Sequence, residues 1–129
     1  MDASRLRQRL RAAGRQLDRQ LRTLMEHEPF LRGGMYRLRR RCGKAGCRCT
    51  RGALHESWVW MTREQGVQRL RVVPKDQTAR WREWAEHYRR FRRARRELDR
   101  QYREVLRLVK LLESARTLAP PSPSNDERN

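Results

Sequence analysis

Long apolar runs are missing from this chain. Nowhere in its 129 residues do about 18 apolar side chains follow one another, which excludes a bilayer-spanning helix. Hydrophobic residues reach only 36%, too few for a large core. A fold this thinly stocked needs long helices or a metal staple. Cysteine is confined to three positions, and the opening Met1-Asp2-Ala3-Ser4-Arg5 has no apolar stretch of the kind that heads a secretory signal. An odd cysteine count without such a signal argues against a secreted disulfide framework, so the expected compartment is a reducing cytoplasm. Catalytic constellations are lacking too. There is no clear pair of carboxylates and no Ser/His/Asp set, so no enzyme is expected. Gly43-Lys44 lacks the Gly-x4-Gly-Lys-Ser/Thr frame of a phosphate-binding loop, which excludes that nucleotide site. Acidic residues number 15 against 33 Lys and Arg, a net charge of +18. Lysine itself is scarce, so the excess is arginine, which forks onto phosphate and stays charged at any cellular pH. The balance points to a polyanion, nucleic acid before a membrane surface.

What is present is concentrated. Cys42, Cys47, Cys49 and His55 lie within fourteen residues, in the run Cys-Gly-Lys-Ala-Gly-Cys-Arg-Cys followed by His55. Three thiolates and an imidazole make a four-coordinate zinc set. The glycines between Cys42 and Cys47 permit a tight turn. In an extended segment Cys47 and Cys49 project to one side. The spacing Cys-x4-Cys-x-Cys-x5-His is not the common paired Cys-x2-Cys arrangement. Two other readings therefore stay open: free or partly buried thiols, and a redox or catalytic cysteine. The neighbouring cations lower thiol pKa values and favour metallation and reactivity alike. His27 and His87 lie outside the cluster and read as ordinary surface or interface residues. From Arg32 to Arg51 there are eight Lys and Arg and no acidic residue. Arg37, Arg39, Arg40, Arg41, Lys44, Arg48 and Arg51 are accordingly the first candidates for phosphate contact.

Two helices flank this module. Leu6, Leu10, Ala13, Leu17, Gln20 and Leu24 step by four and three, with Leu21 beside the seam, and predict a helix over 4–26. Trp81, Trp84, Tyr88, Phe91, Arg95, Leu98, Tyr102, Val105, Val109 and Leu112 step regularly by three and four, and predict a long helix over 76–114 with Asp76 as its N-cap. Arg89, Arg93 and Arg96 belong to an arginine stripe on its other face and are secondary nucleic-acid candidates. Between 76 and 113 there are 12 basic and 7 acidic residues, a weaker excess than in the module. At 1.5 Å per residue the helices measure ~35 and ~58 Å. Antiparallel pairing from the module outward exhausts the first helix near residue 100. It leaves Tyr102, Val105, Val109 and Leu112 uncovered, so a homo-oligomer or a partner helix is expected through residues 98–112. A helical protein-interaction adaptor is the rival reading of the whole chain.

Over 33–74, Met35–Arg39 alternates into the first cysteine, and Ser57–Thr62 and Val67–Val73 flank Arg63-Glu64-Gln65-Gly66 as a hairpin. Trp58 and Trp60 share a face, with Leu70 and Val72 expected across from them. The plain reading is an aromatic core with Trp81 and Trp84; the alternative is a base-stacking platform. After Leu118 the chain is rich in Pro and Ser, and a disordered tail is expected over 115–129. The whole predicts a single α+β domain over 1–114, with two long helices in an antiparallel hairpin or coiled coil flanking a small β-hairpin zinc knuckle.

The run from Met35-Tyr36-Arg37 through Cys42-Gly43-Lys44, Cys47-Arg48-Cys49, Gly52-Ala53-Leu54-His55 and Trp58-Val59-Trp60, then Val73-Pro74, Trp81 and Tyr88-Arg89-Arg90-Phe91, resembles a family of small bacterial proteins of unknown function. Its core reads Tyr-Arg-x-Cys-Gly-Lys-x-x-Cys-x-Cys, followed by Gly-x-x-His. The resemblance covers roughly residues 33 to 110. Where the family pattern has Gly-Pro-Tyr after the His, this chain has Glu56-Ser57-Trp58, a departure in the strand and not in the ligand set. The resemblance implies a bacterial cytoplasmic protein, a shared Cys/His cluster and a mobile-element association. With the charge, it leads to the expectation of a DNA-binding accessory to transposition, recombination or transcription.

Overall fold

The computed structural model of the chain describes residues 1–122. Its elements run in the order α1 (Ala3–Leu24), β1 (Gly34–Arg40), β2 (His55–Glu64), β3 (Val67–Val72) and α2 (Thr78–Arg116). Short 3-10 turns occupy Arg48–Arg51 and Lys75–Gln77. Two helices and a three-stranded antiparallel sheet with strand order β1-β2-β3 make this an α+β protein, the class the sequence predicts. The chain divides into two compact units: residues 1–22 with the chain from Arg95 onward, and Thr23–Ala94. No described helix is long and apolar enough to cross a membrane. Of the tail expected over 115–129, residues 115 and 116 still belong to α2, 117–122 carry no regular element, and 123–129 lie outside the described residues.

In the first unit α1 starts from a cap that the sequence reading missed. The Arg5 backbone N–H donates to the Asp2 carboxylate at 2.9 Å, the bond an N-cap makes to the third helical residue. The expected seam holds. Leu6 is 1% exposed and Ala13 is buried, Leu10, Leu17, Gln20 and Leu24 are half-buried, and Leu21 is turned outward. The α2 seam needs correction. After Phe91 it steps to Ala94, Leu98, Gln101, Val105, Leu108 and Leu112, so Arg95, Tyr102 and Val109 lie off it. One shortened step after Phe91 replaces Arg95, Tyr102 and Val109 by Ala94, Gln101 and Leu108 and leaves Leu98, Val105 and Leu112 in place. It buries Ala94 and Leu108 in place of a guanidinium and Val109. The expected loss of cover near residue 100 is also corrected. Arg9 pairs with Glu104 at 3.3 Å, and Leu108 is 1% exposed. Val105 and Leu112, expected bare, are half-buried, while Tyr102, Leu106, Val109 and Leu111 remain exposed.

In the second unit the opening turns of α2 pack on the sheet. Trp60, Val73 and Ala85 form the core, with Leu31, Met35, Trp58 and Trp81 against it, and Trp60 meets Trp81 edge-on at 6.2 Å. The segment after α1 meets α2 at Tyr88 and Phe91, which pack on Phe30, and at Arg90, which clamps Glu26 with both carboxylate oxygens engaged. Asp76 is not the cap of α2. It sits in the 3-10 turn, and the helix opens two residues later at Thr78.

Sheet register corrects a further expectation. Gln65 and Gly66, both with positive φ, close a two-residue turn, so β2 runs through Arg63 and Glu64 and pairs Glu64 with Val67. Val72 then lies opposite Val59 and Leu70 opposite Met61. Facing Trp58 and Trp60 would need a turn longer by one, and a one-residue shift moves every side chain to the other face. Leu70 and Val72 are exposed on the face away from the tryptophans.

Two glycines separate strain from freedom. Gly33 has φ 123°, and a Cβ there would lie 2.3 Å from the Met61 carbonyl oxygen. Gly33→Ala is expected to destabilise the protein by roughly 2–3 kcal/mol. Gly14, inside α1 with nothing within 4 Å of its missing Cβ, is expected to gain about 0.5–1 kcal/mol on change to Ala. Denaturant unfolding of the two variants checks both signs.

Candidate metal centre

The cysteines occupy the loop of a hairpin. β1 and β2 pair from Gly34↔Met61 to Arg40↔His55, so His55 is the first residue of β2 and Cys42 follows β1 by two. The loop between them folds back by local bonds. Gly43 takes φ 81°, a left-handed conformation that glycine adopts without a Cβ penalty. The Cys47 N–H then donates to the Lys44 carbonyl at 3.3 Å. The 3-10 turn from Arg48 carries Cys49 inward, and the Thr50 hydroxyl donates to the Cys47 carbonyl at 2.7 Å.

These bends bring the four side chains together. The three sulfurs and one imidazole nitrogen all lie within 4.8 Å of one another. Cys42 Sγ and Cys49 Sγ are 3.6 Å apart, and Cys47 Sγ is 3.1 Å from His55 Nε2. A tetrahedron with metal–sulfur bonds of ~2.3 Å has sulfur–sulfur edges of ~3.8 Å. The spacing fits one ion and is far too wide for a disulfide; all three cysteines are free. The four expected ligands are therefore close enough to bind one metal ion. His27 and His87 are not among them, and His87 Nδ1 instead donates to the Pro29 carbonyl at 3.2 Å.

The thiols are not equivalent. Cys42 is exposed, and its pKa falls from 9.0 to about 6. The Lys44 backbone N–H is the main cause, followed by hydrogen bonds from Cys47 and Cys49. Cys49 is wholly buried and accepts the Cys42 backbone N–H at 3.4 Å. That bond, its largest single influence, lowers its pKa. Burial together with the Cys42 and Cys47 side chains outweighs it, and the thiol is pushed up. One thiolate forms readily and resists a second beside it, which is how a metal-free thiolate cluster behaves.

The arginine candidates separate by their partners. Arg37 and Arg39 both reach Glu56, at 3.5 and 3.0 Å. Arg89 and Arg93 both reach Glu86. Arg96 is exposed, and Arg40, Arg41, Lys44, Arg48 and Arg51 are exposed without an acidic partner among the described residues. Sequence reasoning overlooked Glu56. Its position opposite Arg39 in the register is the signal that would have exposed it. Trp58 is half-buried, with the Arg37 and Arg82 guanidiniums 5.2 and 4.5 Å from its ring centre. The aromatic-core reading of the tryptophans holds, and a base stacking on Trp58 would meet these cations.

The fold and cluster define a small, highly basic α+β protein with a Cys3His cluster in a hairpin loop, close enough to bind a metal ion. Residues 4–83 match the family described as a domain of unknown function (DUF6788), and the chain belongs to that family. The match takes in α1, which lies before the stretch from 33 to 110 that carries the resemblance, and ends ahead of Tyr88–Phe91. No curated protein and no solved structure matches the chain.

At pH 7 the metal-free protein is expected to alkylate at Cys42 first and at Cys49 last. Because the folded pKa of Cys42 is depressed, the stability its thiolate contributes is present above pH 9.0 and lost as pH falls through about 6. Mass mapping of iodoacetamide adducts reads the order. Equal labelling of Cys42 and Cys49 would contradict the geometry.

Proposed function

We propose that the chain is a small nucleic-acid-binding protein, acting on DNA, in which Cys42, Cys47, Cys49 and His55 hold a structural zinc ion and the cations of the same loop grip phosphate. One coincidence of place carries this reading. Four ligand atoms lie within 4.8 Å of one another in a loop whose Arg40, Arg41, Lys44, Arg48 and Arg51 have no acidic partner among the described residues. Soft thiolates with one imidazole suit zinc among the available metals. With all four positions taken by protein there is no open site for substrate, so the ion fixes loop shape and the loop presents charge. Contacts of this kind position a protein on a backbone and read little sequence. An accessory of transposition, recombination or transcription could use such binding.

The test joins metal to binding. Protein purified without added zinc is expected to carry about one ion per chain and to lose it in Cys47→Ser. Affinity for a short DNA duplex is expected to fall about a thousandfold between 50 and 200 mM salt if ~6 phosphates are neutralised. It should also fall on change of Arg40 and Arg41 to Gln. Zinc-free folded protein, or an affinity indifferent to salt, would refute the reading.

One observation favours a second reading, a helical adaptor or homo-oligomer working through residues 98–112. Tyr102, Leu106 and Val109 stand exposed on one side of α2, at a spacing that makes a continuous stripe. An adaptor's complex survives nuclease digestion; a complex held by nucleic acid does not.

A further inference from the structure

Ion pairing leaves the positive charge unevenly distributed. On α2, Arg89, Arg93, Arg100, Arg103 and Arg107 each pair with an acidic residue of the same helix. On α1 there are seven arginines and one acidic residue, Asp18. Asp18 pairs with Arg22 at 2.9 Å, and Arg9 pairs with Glu104. Arg5, Arg7, Arg11 and Arg15 have no acidic partner among the described residues and are exposed. The helix that sequence reasoning left aside therefore carries more open charge than the stripe it singled out.

That charge has a shape. Arg11, Gly14, Arg15, Asp18, Arg19 and Arg22 line a shallow open trough of about 680 Å³. Gly14 forms its floor, with nothing within 4 Å of where a Cβ would be. A glycine inside an exposed helix face weakens the helix, and here it lets a ligand come close to the backbone. From Arg11 to Arg22 the trough extends ~16 Å along the helix axis.

We propose that this trough is a second phosphodiester-binding surface, in which Arg11 and Arg15 hold phosphates of one nucleic-acid strand over Gly14. It rests on the nucleic-acid reading above and adds a site that the cysteine loop does not contain. The lining decides the occupant. It holds no apolar side chain, whereas a stable protein interface needs an apolar centre. A membrane is excluded as well, because the apolar side of α1 that would insert is already buried at Leu6 and Ala13. A chain of phosphates needs only cations and close approach. The Asp18–Arg22 pair holds one guanidinium at the end of the trough.

The experiment measures affinity of the full-length, metal-loaded chain for a short DNA duplex and a single strand across a salt series. The variants are Arg11→Gln/Arg15→Gln, Gly14→Glu and Arg40→Gln/Arg41→Gln, with circular dichroism confirming helix content. Each lost phosphate contact removes about 0.9 from the slope of log affinity against log salt, so the Arg11/Arg15 double variant should lose about 1.8 of slope and about thirtyfold in affinity at physiological salt. Gly14→Glu, which fills the floor with a like charge to phosphate, should weaken binding comparably. Unchanged slope and affinity in both α1 variants, with loss in Arg40→Gln/Arg41→Gln, would overturn the trough and leave the loop reading standing. No binding by the unaltered protein would remove both. Nuclease-resistant retention of an acidic protein, lost in the Arg11/Arg15 variant, would overturn the nucleic-acid occupant.

Discussion

Cross-strand pairing of Arg40 with His55 sets the two ends of the cysteine loop, and much of the second unit is arranged around that closure. The loop has almost nothing apolar with which to hold itself. Cys49 is its one fully buried side chain, and the bonds that shape it are local turns. Three sulfurs gathered within 4.8 Å of an imidazole are a costly arrangement without a cation, because each thiolate raises the pKa of the next. A metal reverses that cost and adds cohesion that the small core does not supply.

Beside the loop, the tryptophan face of the sheet packs on α2. Trp60 buries against Trp81 of α2, Met35 and Leu31 complete the packing, and Gly33 lets the chain pass against the Met61 carbonyl. Ion pairs then remove some cations from outside use. Glu56 takes Arg37 and Arg39, and Glu86 takes Arg89 and Arg93. Such exposed pairs stabilise little individually. Their larger effect is on where open positive charge remains, which includes the cysteine loop and the outward side of α1.

Class, element order and the gathering of the Cys/His cluster were legible in the sequence because each rests on local pattern. Leucine spacing announces α1, and the cysteine spacing with His55 announces the cluster. What failed needed partners from elsewhere in the chain. The α2 heptad reads cleanly through Arg95, yet burial of Ala94 shows the seam stepping back, a choice made by what packs alongside. Arg63 and Glu64 look like loop residues but extend β2, and the two-residue turn that follows places Leu70 and Val72 opposite to expectation. Glu56 reads as one acid in a basic run until the register sets it beside Arg39. Asp2 was passed over because the leucine pattern starts after it, although its cap bond is local.

One ion bound by three sulfurs and one nitrogen is the centre of the proposed function. X-ray absorption at the zinc edge, on protein isolated without added metal, tests it most directly. The result expected is about three sulfur scatterers at ~2.3 Å and one nitrogen at ~2.0–2.1 Å. A shell made of oxygen and nitrogen alone, or no zinc signal from folded protein, would contradict it.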